Sequence, residues 1–218
     1  SARSLLQPDC LLLRYTRHML LSLAFVPEPR SVLHIGLGGG ALPCFLREQF
    51  PQLRQTVLEI NPVVLDVAKR FFEVPDDDRL RLVLGDLSQD HSLAVGEYDL
   101  ILLDAYDNSG TVSVFDSAEL LYFLQDQLTP QGWLVGNFWS LFRLYPQQRK
   151  LWTSLCGQLF ESRTETGGNA ILFGHIRNAT VSAHRLHLMA SQHEQPLPVR
   201  LRPMLRYLKE IPCDLETA

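Results

Sequence analysis

Ser31-Val32-Leu33-His34-Ile35-Gly36-Leu37-Gly38-Gly39-Gly40-Ala41 is a short apolar run that ends in four glycines within five residues. Val32, Leu33 and Ile35 predict a strand buried on both faces, and Gly36, Gly38, Gly39 and Gly40 a turn whose backbone a ligand can approach closely. Ala41 to Phe50 reads as a helix. Strand, glycine turn and helix together make a nucleotide site, because a helix N-terminus presents unpaired N–H groups and the positive end of a dipole. A glycine turn after a first strand also serves simple chain reversal, so the remainder of the chain has to decide between the two.

Downstream, Gln55 to Ile60 (QTVLEI) is a second strand, and Asn61-Pro62 starts a helix over Val63 to Phe72 with a capping side chain followed by proline. Leu80 to Leu84 is a third strand that ends at Gly85-Asp86, with a short helix expected around Leu87 to Val95. Tyr98 to Leu103 is the strongest strand and runs into the polar loop Asp104-Ala105-Tyr106-Asp107-Asn108-Ser109-Gly110. Asp116 or Ser117 caps the next helix, Thr129-Pro130-Gln131-Gly132 turns the chain, Trp133 to Phe138 is a fifth strand, and a helix after Pro146 runs to about Phe160. Strand and helix alternating five times predict a parallel sheet with helices on both faces. Glu161 to Thr166 and Ala170 to Ile176 flank Gly167-Gly168-Asn169 and predict a terminal hairpin. The expected fold is therefore α/β and doubly wound, with a mostly parallel seven-stranded sheet that ends in an antiparallel hairpin.

Upstream, LLLRYTRHMLLSLAF (11–25) is interrupted by Arg14, Arg17 and His18, which fall on one side of a helical repeat. It predicts an amphipathic helix over the sheet rather than a signal peptide or membrane anchor. The expected organisation is an amphipathic segment over 1–30, a Rossmann-like catalytic domain over 31–180, and a helical extension of that domain over 181–218. The 218 residues suit one domain, and the 46% apolar and 20% charged fractions are those of a globular protein. A formal net charge of −4 argues against a general nucleic-acid binder and leaves room for a cationic substrate. Cys10, Cys44, Cys156 and Cys213 lie far apart with no CxxC pair, which fits reduced thiols and a cytoplasmic location, with neither disulfides nor zinc.

Ligands of such sheets bind at the C-terminal strand edge where strand order reverses, and the glycine turn, Glu59, Asp86, Asp104 and Asp107 converge there. Glu59 stands about twenty residues beyond the glycines, the spacing at which a carboxylate accepts ribose hydroxyls. Asp86 is placed to accept from an adenine amino group, and helix capping is the other use of an aspartate at that point. Asp104 and Asp107, with Tyr106 between them, suit the holding and deprotonation of a cationic amine, one as general base and the other as anchor. For Asp107 plain turn chemistry is the alternative. Gly36 to Ala41 satisfies both a dinucleotide pattern and that of S-adenosylmethionine domains. The later acids and the terminal hairpin favour the second. His184, His187 and His193 read as surface rather than a metal site, Arg200, Arg202, Arg206 and Lys209 as a solvated helix face, and His34 as packed within its strand.

The ordered set LHIGLGGGALP, VLEINP, VLGD and YDLILLDAYD, followed by FDSAELLYFLQDQLTPQGWLV, resembles the catalytic domain of the spermidine synthase family, built on a class I methyltransferase fold. The resemblance spans about Tyr15 to Phe138. It implies transfer of an aminopropyl group from decarboxylated S-adenosylmethionine to putrescine, with release of methylthioadenosine and no metal. It implies that Gly36, Gly38, Gly39, Gly40, Glu59, Ile60, Asp86, Leu87 and Asp104 bind the adenosyl donor, Glu59 at the ribose and Asp86 at the adenine. Asp104 would be the base with Asp107 beside it, and Tyr106, Asp107, Tyr15 and His18 would meet the amine acceptor. The family's glycine turn usually carries an aspartate for the aminopropyl amine, and the aligned position here is Gly39. Its β-rich oligomerisation domain is absent or reduced to the segment before Ser22, and DAYDN stands for its usual DSSDP. Methyl transfer from S-adenosylmethionine, giving S-adenosylhomocysteine, and a non-catalytic adenosyl-binding protein stay open as alternatives. The expected partner is a small-molecule amine rather than nucleic acid or membrane, with a homodimer allowed.

Overall fold

The computed structural model describes residues 10–106, 116–165, 167–175, 181–192 and 197–213. β1 (Ser31–Ile35) lies in parallel between β2 (Arg54–Glu59) and β4 (Tyr98–Leu103). β3 (Leu80–Leu84) extends the sheet in parallel beyond β2, and β5 (Leu128–Trp139) beyond β4. β7 (Asn169–His175), β6 (Gln158–Arg163) and β8 (Leu208–Ile211) then add antiparallel, giving the order β3-β2-β1-β4-β5-β7-β6-β8. Order reverses between β1 and β4, so the loops that follow these two strands leave the same edge side by side.

Residues of β1 and of β4 to β7 alternate between two cores. Leu100 and Leu102 of β4 face one, with Val32, Trp133, Phe160 and Phe173, while Ile101 and Leu103 face the other, with Leu33, Leu134, Leu159 and Leu172. The first core is covered by α1 (Arg14–Met19), α2 (Ser22–Phe25), α3 (Ala41–Gln49) and α7 (Ala183–Gln192), and the second by α5 (Ala118–Asp126) and α6 (Tyr145–Leu155). Phe25 anchors the first, its ring 4.2 Å from Trp133, 5.2 Å from Phe160 and 5.3 Å from Phe173. α4 (Pro62–Phe71) starts as expected, with the Asn61 side chain accepting from Val63 N–H, and Ser117 is the residue that caps α5.

Several expectations are corrected. The sheet has eight strands rather than seven, because Leu208–Ile211 pairs with β6 where a helical extension was expected. The basic stripe is thereby divided, Arg202 and Arg206 falling in a 3₁₀ segment (Arg202–Tyr207) and Lys209 in β8. The opening helix is two short helices, and from His18 to Phe25 it is buried all round, because α7 packs on the side away from the sheet. Thr129-Pro130-Gln131-Gly132 is a bulge inside β5, since the register steps from Tyr98–Leu128 to Leu100–Trp133. Only a 3₁₀ turn, His91–Ala94, forms where a helix over 87–95 was expected, and α6 stops at Leu155, leaving Phe160 in β6. Among the described residues no helix is long and apolar enough to cross a membrane.

Candidate active site

Four strand ends build the site. Beyond β1 the chain turns on Gly36, Gly38 and Gly40, all with positive φ (98°, 54° and 68°). Only glycine serves at Gly36, because a Cβ there would collide with the Asp104 carbonyl beyond β4. Gly36 N–H donates to Leu58 O at 2.8 Å and Asp104 N–H to Ile35 O at 2.9 Å, so the ladder continues to the rim and fixes the two loops against each other.

Glu59 ends β2 and is buried. Its Oε2 accepts the Leu37 N–H of the glycine turn and its Oε1 the Asn61 N–H, both at 2.9 Å. The carboxylate is thus held in place by the turn it faces and by the start of α4. Ile60 beside it is 63% exposed, an apolar side chain left on the rim. Asp86 beyond β3 is half-buried, and its Oδ1 accepts the Ser88 N–H at 2.9 Å and the Ser88 hydroxyl at 2.7 Å, a local turn. Leu87 packs into the second core with Leu58 and Ala94, so it does not share the exposure of Ile60.

Asp104 ends β4 with its carboxyl divided between two partners. Asn137 Nδ2 donates to Oδ1 at 2.8 Å, and the Tyr15 hydroxyl donates to Oδ2 at 3.1 Å. Burial pushes the carboxyl up to about 6 while these two donors hold it down. The phenols of Tyr15 and Tyr106 are raised by burial and by the Asp104 charge, so both stay protonated at neutral pH. Tyr106 donates to the Asn137 carbonyl at 2.8 Å, which ties the loop after β4 to β5. Between α1 and the glycine turn a pocket is lined by Tyr15, His34, Gly36, Leu37, Pro43 and Asp104 among others.

Of the residues singled out from the sequence, Gly36, Asp104 and Tyr15 meet in this pocket, and Glu59 reaches it through Leu37. His18 does not join them: it is buried, its Nδ1 lies 2.8 Å from Ser162 Oγ on β6, and its ring lies against Tyr207. Spacing on α1 therefore serves Tyr15 and His18 differently, one at the site and one in the core. Asp107 and His193 lie outside the described residues. His184 and His187 are exposed on α7, and among the described residues no group of three His, Cys, Asp or Glu side chains is placed to hold a metal ion. Sequence reasoning missed Asn137, whose signal was a lone amide near the C-terminal end of the apolar strand WLVGNF. His34 is buried and bonded to Gln55 Oε1 at 2.9 Å, and it also lines the pocket.

An adenosyl group fits these residues. The glycine turn leaves the backbone bare, a carboxylate stands at the end of β2, and Ile60 and Leu84 leave apolar surface on the rim either side of it.

No protein-family model matches the chain. It is 31% identical over 184 residues to the polyamine aminopropyltransferase of Chromobacterium violaceum, covering 84% of this chain and 70% of that one. It is 32% identical over 163 residues to the enzyme of that name from Vibrio vulnificus, covering 72% of this chain but only 54% of the relative's length. A stretch of 117 residues is 46% identical to the Drosophila melanogaster homolog of eEF1A lysine and N-terminal methyltransferase, half of this chain and 17% of that one. Among solved structures, human methyltransferase-like protein 13 in complex with SAH superposes with a TM-score of 0.77 at 25% identity over 84% of this chain and 92% of that chain. A probable spermidine synthase from Corynebacterium glutamicum gives 0.73 at 19% identity over 95% and 77%, a likeness of fold.

Proposed function

Because the chain belongs to the polyamine aminopropyltransferase family, we propose that it moves an aminopropyl group from decarboxylated S-adenosylmethionine to an amine acceptor such as putrescine. The observation that carries this reading is the charge of the pocket. Of the side chains that line it, Asp104 is the one that bears a charge at neutral pH, and it is negative. An amine meets a partner there, whereas the carboxylate of intact S-adenosylmethionine would meet a second carboxylate with no cation among the described residues that line the pocket.

In this reading the bound donor supplies an electrophilic carbon on a positively charged sulfur. Glu59 orients the ribose, Asp86 the adenine, and the glycine turn from Gly36 to Gly40 admits the donor against the backbone, with Ile60 on the rim flanking the base. The acceptor amine sits between Asp104 and Tyr106, with Asp107 as a further anchor. Asp104 takes a proton from the acceptor nitrogen as the new N–C bond forms, and the electron pair of the broken C–S bond leaves with sulfur as methylthioadenosine. Positioning and proton removal supply the catalysis.

Methyl transfer to an amine is the second reading. The 46% identity with a methyltransferase homolog, and Gly39 at the turn position where the spermidine synthase family usually has an aspartate, favour it. Calorimetry with decarboxylated S-adenosylmethionine, S-adenosylmethionine and methylthioadenosine, together with a putrescine-to-spermidine assay, separates the two. Tight binding of the decarboxylated donor with spermidine formation supports the first. Preference for S-adenosylmethionine with methylated product overturns it in favour of the second, and binding of no adenosyl ligand overturns both.

A further inference from the structure

We propose that Asn137 and Asn169 are a positioning pair: an amide chain from β7 through β5 holds Oδ1 of Asp104 and leaves Oδ2, on the Tyr15 side, to take the acceptor's proton. This rests on the transferase reading of the same site. The placement follows from strand geometry. Asn137 and Trp139 share a face of β5 by the two-residue period, and Asn169 opens β7 directly opposite Trp139, which makes it the diagonal neighbour of Asn137. Asp104 lies two residues beyond Leu102, on the face that α1 covers, so Tyr15 approaches the same carboxylate from above the sheet.

The bonds give the chain a direction. Asn169 Nδ2 donates to Asn137 Oδ1 at 3.0 Å, and Asn137 Nδ2 donates to Asp104 Oδ1 at 2.8 Å. Asn137 is buried at 1% exposure, and turning its amide over would break both bonds and set its oxygen against the carboxylate. Its N–H therefore stays on Oδ1 throughout. A proton arriving at Oδ1 would face that N–H, whereas at Oδ2, among the described residues, it meets the Tyr15 hydroxyl, which can turn and accept from it. Among the described residues, the titratable groups that face Asp104 are the phenols of Tyr15 and Tyr106, both protonated at neutral pH, so neither competes for the proton. Neither asparagine needs to touch the substrate. Their part is to fix which oxygen is basic and where it points.

The test is a carbon-13 NMR titration of aspartate side-chain carboxyls, with the Asp104 signal assigned by its loss in Asp104→Asn. It is run on the wild type, Asn169→Ala, Asn137→Ala and the double variant, alongside transfer kinetics. The Asp104 midpoint is expected to rise in Asn137→Ala and to rise less in Asn169→Ala; in a Tyr106→Phe background, which removes the other side-chain partner of Asn169, the double variant is expected to equal Asn137→Ala, because the two residues then act through one chain. The turnover number is expected to fall roughly 10- to 100-fold in Asn137→Ala, the size of one hydrogen bond to a charged group, with donor affinity retained. Asn169 is only partly buried, so Asn169→Ala carries the test if Asn137→Ala fails to fold. An unmoved Asp104 midpoint in Asn169→Ala, or additive effects in the double variant of the Tyr106→Phe background, overturns the proposal. Because the titration needs no turnover, a wild type that transfers neither group sinks the transferase reading while the titration still decides the positioning pair.

Discussion

The Glu59 carboxylate accepts the Leu37 N–H at 2.9 Å, so the end of β2 holds the glycine turn that follows β1. Its other oxygen accepts the Asn61 N–H, at the same distance, where α4 begins. One buried acid thus joins the glycine turn to the start of α4.

Glu59→Gln keeps the size and one acceptor but turns an amide N–H toward a backbone N–H. Losing a charged hydrogen bond in a buried setting costs about 1.5–3 kcal/mol. The variant is expected to melt at a lower temperature and to bind methylthioadenosine more weakly, both read by calorimetry. Unchanged melting and binding would show that the carboxylate neither holds the turn nor faces the ribose.

Asp104→Asn is expected to abolish transfer and to leave donor affinity nearly intact. The wild-type rate should rise with pH through about 6, since the base must be ionised and burial raises its carboxyl to that value. The same shift acts on stability with the opposite sense. A carboxyl raised from 3.8 binds its proton more tightly when folded, so its contribution is full below about 3.8 and lost as pH climbs through about 6. At pH 8, Asp104→Asn should therefore melt at or above the wild-type temperature, and a clearly lower melting temperature there would contradict the assignment.

The central strands were legible because parallel strands covered on both faces are runs of apolar residues closed by polar turns, and VLHI, TVLE and YDLILL have that form. Asn61-Pro62 was equally plain, because capping chemistry is local. β8 was not: Leu208-Lys209-Glu210-Ile211 is four residues long and exists through its pairing with β6, far away in the sequence. The surroundings of His18 were hidden for a related reason. The residue looks polar on α1, but Ser162 and Tyr207, brought in by the C-terminal part of the chain, enclose it. At the site, the acids announced themselves as single charges after apolar strands, whereas the Asn137–Asn169 pair depends on a strand register that no local pattern encodes.

Gly36→Ala tests how closely the two loops are packed. The substitution adds a left-handed backbone strain of about 1–2 kcal/mol and a Cβ that collides with the backbone at Asp104, which cannot swing aside as a side chain would. Gly167→Ala is the control, with φ at 71° but nothing within 4 Å of the added carbon. Chemical denaturation is expected to show a larger loss for Gly36→Ala, accompanied by loss of methylthioadenosine binding. Equal losses would mean that the contact with Asp104 does not constrain the turn.

His34 governs the acid side of stability. Its Nε2–H donates to Gln55 Oε1 at 2.9 Å while Gln55 Nε2 donates to Pro43 O at 3.0 Å, and burial lowers the imidazole from 6.5 to about 4. The folded protein therefore resists protonation that the unfolded chain accepts. Stability from this group is full above about 6.5 and falls as pH drops toward 4, by about 3 kcal/mol in all. Asp104 acts in the opposite sense over an overlapping range, so the wild-type profile is the difference of the two. His34→Gln retains a donor for Gln55 without a titratable ring and should lose much less stability between pH 6.5 and 4, as measured by urea midpoints. In a background of Asp104→Asn, where the opposing term is gone, the contrast between histidine and glutamine should be cleanest. Parallel urea profiles for those two proteins would place the acid sensitivity elsewhere.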